Sequence, residues 1–218
     1  MGEWATREGA PTTNLIAALG DAAWMAGMER NSDLIIMSCY APLFVNVNTA
    51  TTTAPKAWQW DSDLIGYNAL TSYGSPSYYV QKLFSQYLGN KIVPVAAENI
   101  PMQDRPMSRR DSAEKITHKP VPTLFYAATK DSKKGMLYLK LVNTTGKEQA
   151  VQIDLKGVVS VSADAAVSVI RGDKPEDTNS ITEPEKIVPV STVIKGVKQN
   201  FEHTLPPYSV SILQIQTK

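Results

Sequence analysis

An apolar run at residues 34–40 constrains the fold of this chain more than any other segment. Such a run suits a strand that is buried on both faces, as in a parallel sheet covered by helices. Apolar side chains recur at helical spacing over residues 15–26, and residues 12–14 offer capping side chains just before them. With residues 3–5 taken as a strand end, the order predicts a βαβ unit whose helix ends near Arg30.

A long loop and a second helix follow in the predicted order. Residues 42–63 lack helical or strand periodicity, and they predict a loop after the second strand, where function usually resides. Ser75 and Pro76 are typical of a helix start, and Gly89 with Asn90 is typical of a helix end. This part of the chain therefore predicts an α/β fold.

The second half of the chain has a different pattern. Residues 99–118 are polar and charged, and they predict an exposed excursion or linker. From Pro122 onward, short runs of alternating hydrophobicity are separated by turn residues, which predicts antiparallel strands in a β-sandwich. We therefore predict two domains, an α/β region at residues 1–90 and an all-β region at residues 91–218.

Charge and composition limit the partners of the chain. With 22 basic and 21 acidic side chains, the formal net charge is +1, so no electrostatic argument favours nucleic acid or an anionic membrane. No segment is apolar enough to cross a bilayer, and the N-terminus lacks the pattern of a secretion signal. We expect an uncharged substrate, or one bound without charge, and no nucleic-acid or membrane partner.

Cysteine and histidine give little indication of chemistry. Cys39 is the only cysteine, so no internal disulfide can form, and its apolar setting favours a buried structural thiol over a nucleophile. His118 and His203 are far apart in sequence and have no cysteine or second histidine at ligand spacing. We expect no metal site.

Several segments of the first half carry a family resemblance. They are Glu3-Trp4-Ala5 and the runs at residues 14–19, 28–33, 40–46, 60–65, 67–68 and 73–78, with a less specific run at residues 205–210. In order and spacing, these segments resemble the α-L-arabinofuranosidases of glycoside hydrolase family 51. The match is specific over about residues 1–90, and beyond them it rests on position and pattern.

The resemblance implies a fold. The first half is similar to the last two β/α units of a (β/α)8 barrel, and the second half to the antiparallel, jelly-roll-like β-sandwich that ends the family's chains. The first six barrel units would precede residue 1, so the chain resembles a fragment of a longer enzyme. A quarter of a barrel leaves strand edges and core side chains uncovered, so we expect exposed apolar surface.

The resemblance also implies a catalytic residue. Retaining glycosidases use two carboxyl groups about 5–5.5 Å apart, one as nucleophile and one as acid/base. Glu3 matches the family's nucleophile on the seventh barrel strand, at the end where active sites of such barrels lie. In an arbitrary sequence, a carboxylate so close to a terminus would be a solvated residue. The family's acid/base, a Glu in an Asn-Glu pair on the fourth strand, would precede residue 1.

Substrate-binding residues are expected in the loop at residues 42–63. Local alignment with the family places a side chain that hydrogen-bonds an arabinose hydroxyl at Asp61, or less specifically at Gln59. The alternative is that Asp61 or Asp63 only caps the following turn. Three tryptophans could form an apolar platform for the sugar, and buried packing is the alternative for each of them: Trp4, Trp58 and Trp60.

The function implied by the resemblance is that of a retaining exo-acting α-L-arabinofuranosidase. Such an enzyme removes terminal α-L-arabinofuranosyl units from arabinan, arabinoxylan or related plant polysaccharides, and it needs no metal or organic cofactor. This chain alone is expected to be inactive because it lacks the acid/base. Family members are often homo-oligomers, and the compartment, secreted or periplasmic, is left open because the chain carries no signal.

The alternative function belongs to another class. The chain would then be a non-catalytic β-sandwich accessory or carbohydrate-binding module that carries a barrel remnant. A binding module of this kind needs an exposed aromatic platform on the sandwich. The absence of tryptophan between residues 122 and 218 counts against strong sugar stacking there.

Overall fold

The computed structural model describes residues 2–48, 57–58, 60–105 and 118–218. Its helices are α1 (Leu15–Arg30) and α2 (Pro76–Gln86). The strands before α2 are short: β1 (Glu3–Trp4), β2 (Cys39–Tyr40), β3 (Phe44–Asn46), β4 (Ile65–Tyr67) and β5 (Ser72–Gly74). The strands after α2 are β6 (Lys91–Ile92), β7 (Met102–Gln103), β8 (Val121–Pro122), β9 (Leu124–Asp131), β10 (Met136–Asn143), β11 (Gln149–Asp154), β12 (Asp164–Arg171), β13 (Val190–Lys195), β14 (Asn200–Leu205) and β15 (Ser209–Gln216).

The largest element is a six-stranded sheet in the order β13-β12-β15-β10-β9-β6, in which every neighbouring pair is antiparallel. In its centre, Leu139 of β10 stands opposite Leu213 of β15 and Ala128 of β9. β10 is buried along almost its whole length because both faces of the sheet are covered. The antiparallel strands predicted after Pro122 are therefore present.

Helices cover one face of this sheet, and a two-stranded ribbon covers the other. The core under α1 and α2 includes Leu15, Leu19, Val80, Phe84, Val142 and Ile170. The core under the ribbon of β11 and β14 includes Leu139, Leu141, Ile153, Val167 and Leu205. The alternation of side chains along β15 serves both layers, since Val210 and Ile212 face the helices while Leu213 and Ile215 face the ribbon.

Both helices begin where the sequence predicts. The Asn14 side chain caps α1 by accepting a 3.1 Å hydrogen bond from the Ala17 amide. The Ser75 hydroxyl caps α2 by accepting a 3.2 Å hydrogen bond from the Tyr78 amide, and Pro76 is the first helical residue. The predicted helix end near residue 30 is also confirmed.

The connection between β12 and β13 holds the start of α1. The amides of Leu15 and Ile16 donate to the backbone carbonyls of Asp177 and Pro175, at 2.8 and 2.9 Å. The first amides of a helix have no partner inside the helix, so these bonds join the α/β region to the β-rich region. The two regions also share the core beneath α1. The division into domains at residue 90 stays a prediction.

β1 and β2 form a parallel pair joined by α1, as the predicted βαβ unit requires. The prediction of a doubly buried strand at residues 34–40 is wrong, because only its last two residues form β2 and Leu34, Ile36 and Met37 expose 79%, 91% and 74% of their surface. Cys39 is exposed, so the prediction of a buried thiol is also wrong. A parallel strand is buried on both faces only under neighbouring strands and a second layer, and within the described residues β2 pairs with β1 alone.

Two further predictions about the first half are modified by the structure. The predicted loop at residues 42–63 contains β3, which pairs in parallel with β4, and a strand of three residues is too short to show periodicity. Residues 49–56 and residue 59 lie outside the described part. The expected exposed apolar surface is present, while the described residues form no closed barrel.

The polar segment at residues 99–118 is described only in part. Within it, β7 pairs antiparallel with β8, and residues 106–117 lie outside the described residues. The described part of this segment therefore pairs with a strand of the β-rich region.

Candidate active site

A cleft of about 630 Å³ lies at the carboxyl ends of the parallel strands β1 and β2. It is lined by Glu3, by residues 7–10 after β1, by Pro42 after β2 and by residues 60–62. The carboxyl ends of parallel strands are where open and closed α/β folds bind ligands, because loops of different strands converge there. Three residues singled out from the sequence, Glu3, Trp60 and Asp61, therefore meet in one cleft.

The pairing of β1 with β2 sends Glu3 and Trp4 in opposite directions. Glu3 pairs with Cys39 and is exposed, whereas Trp4 pairs with Tyr40 and packs against the core beneath the helices. The Trp4 and Tyr40 rings meet edge to face, with centroids 5.2 Å apart and an interplanar angle of 83°. Successive side chains of a strand point to opposite faces, so Glu3 reaches the cleft and Trp4 does not. The position of Trp4 therefore fits buried packing and not an apolar platform for the sugar.

Asp61 is held by an indole from its own segment. The Trp58 Nε1–H group donates a 2.8 Å hydrogen bond to Asp61 Oδ1. Trp60 exposes 57% of its surface and lines the cleft beside Asp61. An oriented carboxylate next to an open indole face can accept hydrogen bonds from sugar hydroxyls and stack against the ring. Gln59, the less specific candidate, lies outside the described residues.

Two left-handed residues join the walls of the cleft. Ser62 has φ of 67°, and its hydroxyl donates a 2.8 Å hydrogen bond to the carbonyl of Gly9. Gly9 has φ of +94°, and a Cβ there would lie 2.7 Å from the Thr12 carbonyl oxygen and from the Asn14 amide nitrogen. A left-handed serine is strained and persists only where its surroundings hold it, which is common at functional sites. The bond between these residues fixes the segment at 60–62 against the loop after β1.

Asp63 lies directly behind the cleft. It is 2% exposed, its amide donates to the Pro11 carbonyl at 3.1 Å, and its own carbonyl accepts from the Thr13 amide at 3.2 Å. Burial, and next the nearby Asp61 carboxylate, raise the pKa of Asp63 to about 6. Through its backbone, Asp63 joins the Asp61 segment to the loop that precedes α1.

A second buried carboxylate supports the opposite wall. Asp21 of α1 is fully buried, and its Oδ1 accepts a 3.1 Å hydrogen bond from the Thr6 amide. Burial raises the pKa of Asp21 to about 6, and hydrogen-bonding groups of Ser77, Thr6 and Tyr40 offset part of that effect. Sequence analysis missed Asp21. The available signal was a carboxylate on the buried face of α1, whose other buried residues are all apolar.

Among the described residues, four ionisable side chains line the cleft: Glu3, Arg7, Glu8 and Asp61. Carboxylates can accept hydrogen bonds from sugar hydroxyls, and an accessible carboxylate can attack an electrophilic carbon. Sequence analysis missed Arg7 and Glu8. Their position in the loop directly after the strand end that holds Glu3 was the signal that could have identified them.

Metal-binding clusters and membrane-spanning helices are both absent from the described part of the chain. No group of three or more His, Cys, Asp or Glu side chains there could hold a metal ion. Neither His118 nor His203 lines the cleft, and burial lowers the pKa of His203. None of the described helices is long and apolar enough to cross a membrane.

The family model that matches this chain and two of its sequence relatives are described as α-L-arabinofuranosidases. A family model described as the α-L-arabinofuranosidase C-terminal domain matches residues 2–209. The chain is 30% identical over 210 residues to α-L-arabinofuranosidase 1 of Arabidopsis thaliana, covering 94% of this chain and 27% of the relative. It is 30% identical over 215 residues to the probable α-L-arabinofuranosidase A of Aspergillus terreus, covering 98% of this chain and 28% of the relative. The chain thus spans little more than a quarter of these relatives.

Solved structures with a similar fold agree with the sequence relatives. An arabinose-bound α-L-arabinofuranosidase of family GH51 superposes with a TM-score of 0.80 at 26% identity, covering 99% of this chain and 32% of that chain. A thermostable GH51 α-L-arabinofuranosidase from Thermotoga petrophila gives a TM-score of 0.75 at 19% identity, covering 98% of this chain and 42% of that chain. This second likeness concerns the fold alone. The resemblance inferred from the sequence motifs is confirmed.

Proposed function

The chain belongs to the α-L-arabinofuranosidase C-terminal domain family, and on that premise we propose that it carries the nucleophile and part of the sugar-binding site of a retaining exo-acting α-L-arabinofuranosidase. One observation carries the proposal. Glu3, Trp60 and Asp61 line a single cleft at the carboxyl ends of two parallel strands. A cleft that brings a carboxylate, a second carboxylate and an indole together has the composition that a glycoside site needs.

In the proposed reaction, the Glu3 carboxylate attacks the anomeric carbon of a terminal arabinofuranosyl unit while the bond from that carbon to the leaving oxygen breaks. The acid/base donates a proton to the leaving oxygen. In the second step the acid/base takes a proton from water, whose oxygen attacks the same carbon, releases arabinose and restores the Glu3 carboxylate. Two inversions at one carbon give net retention.

Asp61 and Trp60 recognise the sugar in this proposal. Asp61 Oδ1 already accepts a hydrogen bond from Trp58, which orients the carboxylate so that its oxygens can also accept from sugar hydroxyls. The exposed indole of Trp60 offers an apolar face beside it. The proposed substrates are terminal α-L-arabinofuranosyl units of arabinan, arabinoxylan or related plant polysaccharides.

We place the acid/base and the other barrel units in a part of the enzyme outside this chain. The matched segment makes up 27% and 28% of the two curated relatives. The exposed side chains of Leu34, Ile36 and Met37 precede β2, where further parallel strands would cover them. On this proposal β1 through α2 are the last two β/α units of a barrel, and the 218-residue chain alone does not hydrolyse glycosides.

Hydrolysis of an aryl α-L-arabinofuranoside tests the proposal. The assay compares the 218-residue chain with a longer polypeptide that extends upstream in the genomic reading frame, each with and without Glu3→Ala. We expect activity in the longer polypeptide and its loss in the Glu3→Ala variant. Added azide should restore turnover in that variant, because azide can attack the anomeric carbon in place of the missing carboxylate. Glu202→Gln, an exposed substitution on β14, is the matched control and should keep full activity.

The other outcomes are equally informative. Full activity in the longer Glu3→Ala variant would exclude Glu3 as the nucleophile. Arabinose binding without hydrolysis in the longer polypeptide would favour a non-catalytic sugar-binding module. Hydrolysis by the 218-residue chain would show that its acid/base lies within this chain, and Glu8→Gln and Asp61→Asn would then identify it, because both residues line the cleft with Glu3.

A further inference from the structure

The loop after β1 is seated on α1 by two neighbouring residues. The Thr6 amide donates a 3.1 Å hydrogen bond to Asp21 Oδ1. Beside it, Gly20 leaves room for the Thr6 side chain, because a Cβ at Gly20 would lie 3.1 Å from Thr6 Oγ1 and 3.2 Å from Thr6 Cγ2. The Asp21 carboxylate and the space beside Gly20 therefore hold Thr6 together, and we call this pair of contacts the Thr6 seat.

The Thr6 seat is placed where it can control the cleft. Thr6 stands between Glu3, which ends in the cleft, and Arg7, which also lines it. Ser77 of α2 and Tyr40 of β2 also lie near Asp21, and their hydroxyl groups are close enough to affect the pKa of its carboxylate. Asp21 therefore connects the loop after β1 with α1, α2 and β2.

The carboxylate of Asp21 lies in an environment that disfavours its charge. Its Oδ2 atom makes no hydrogen bond of standard geometry with any described residue, although the side chain is fully buried. An unsatisfied buried carboxylate oxygen destabilises a fold, so a purely structural site would be served better by an apolar side chain. The carboxylate accepts its hydrogen bond of standard geometry from the Thr6 amide.

We propose that Asp21 is a positioning residue for the cleft, which fixes Glu3 and Arg7 by anchoring the intervening Thr6 amide. The proposal rests on the proposed function in calling Glu3 the group to be positioned. A charged acceptor holds an amide more strongly than a neutral one, and a nucleophile misplaced by about 1 Å can lose a hundredfold in rate. Burial raises the pKa of Asp21 to about 6, while the hydrogen bond from Thr6 favours the charged form and so lowers the pKa, and the anchoring bond should therefore weaken as the carboxylate is protonated at mildly acid pH.

Two-dimensional ¹H–¹⁵N NMR of the 218-residue chain tests the anchoring itself. We expect the Thr6 amide signal to move with a midpoint near pH 6 as Asp21 titrates. The amide of Asp21→Asn does not ionise, so this variant should abolish the titration of the Thr6 signal. Because the amide keeps an oxygen acceptor, the Glu3 and Arg7 signals should stay near the positions that they have in the unsubstituted chain at low pH. Because Asp63 titrates in the same range, the experiment is repeated in Asp63→Asn, where the Thr6 titration should persist.

Two substitutions then disturb the seat. Asp21→Leu removes the acceptor, and Gly20→Ala presses on Thr6 while leaving Asp21 in place. Both should shift the signals of Glu3 and Arg7. Gly27→Ala is the matched control, because it lies on the same helix and a Cβ there meets nothing within 4 Å. Gly20→Ala keeps the test decisive if Asp21→Leu does not fold.

An activity measurement on the longer polypeptide completes the test. We expect Asp21→Leu and Gly20→Ala to lower kcat about tenfold to a hundredfold with little change in KM. Asp21→Asn should keep most of the kcat of the unsubstituted polypeptide. A Thr6 signal that does not titrate, or Glu3 and Arg7 signals that stay in place in Gly20→Ala, would overturn the positioning role. A longer polypeptide without hydrolytic activity would count against the proposed function and leave the NMR result to decide the anchoring.

Discussion

Lys140 of β10 donates a hydrogen bond to Glu29 of α1 inside the core between the sheet and the helices. The Lys140 side chain is completely buried, and its Nζ also donates to the Phe84 carbonyl at 3.2 Å and lies 4.4 Å from the centroid of the Phe84 ring. Burial raises the pKa of Glu29 and lowers that of Lys140, so each charge is maintained against desolvation by the other. The pair therefore joins α1 of the helical layer to β10 of the sheet.

Removing one partner of this pair should destabilise the fold strongly. Lys140→Met should lower the free energy of unfolding by about 3–5 kcal/mol, because Glu29 is then left buried without a counter-charge. Replacing both residues with methionine should recover most of that loss. Denaturant unfolding at pH 7 measures all three proteins, and a double variant as unstable as Lys140→Met would contradict the explanation.

A surface pair provides the control for this measurement. Lys134 and Asp131 approach to 3.7 Å, but the Lys134 side chain is 72% exposed. Lys134→Met should therefore change the free energy of unfolding by less than about 1 kcal/mol.

The stability of the chain should fall as pH rises between about 4 and 6. Asp21 and Asp63 have pKa values raised from 3.8 to about 6, so the folded state holds their protons to higher pH than the unfolded state does. Each group then destabilises the fold by up to about 3 kcal/mol above pH 6, and this effect disappears as pH falls towards 3.8. Asp21→Asn should raise stability at pH 7.5 and change it little near pH 4. Unfolding midpoints of the two proteins, measured across that pH range, test this prediction. An equal effect of Asp21→Asn near pH 4 and at pH 7.5 would contradict the raised pKa of Asp21 as the cause.

The Cys39 thiol should react in the native chain. Because Cys39 is exposed, a thiol reagent should modify one group per chain without denaturant, at a rate within about tenfold of the unfolded chain. In the longer polypeptide, a neighbouring strand that covers β2 should slow this reaction. Equal rates in the two proteins would count against the proposal that β1 and β2 belong to a barrel.

Trp60 should contribute to sugar binding. Trp60→Ala should weaken arabinose binding by about 0.5–1.5 kcal/mol, roughly two- to twelvefold, because the exposed indole lines the cleft. Trp24→Ala is the matched control, since Trp24 is 49% exposed on α1 and does not line the cleft. Titration calorimetry on the longer polypeptide measures both, and equal losses in the two variants would remove Trp60 from the site.

Local signals explain which parts of the fold could be predicted. The starts of α1 and α2 were predictable because the Asn14 and Ser75 side chains accept hydrogen bonds from amides three residues away. Both partners of such a bond lie within one short segment of the sequence. The run at residues 34–40 was misinterpreted because burial depends on the strands and layers that surround it. Glu3 and Asp61, which the family motifs singled out, line one cleft in the structure, and the roles assigned to them stay predictions.

The sequence by itself determined the helices, the antiparallel strands after Pro122 and the family, since each depends on side-chain order along short segments or on motif spacing. Only the tertiary structure decided that Glu3 faces the cleft while Trp4 faces the core, that Asp21 bonds to Thr6, and that Lys140 pairs with Glu29. The physical reason is that these relationships join residues from different elements. Their geometry is set by strand register and by how the layers pack, and a charge in an apolar run does not reveal which distant charge it will meet.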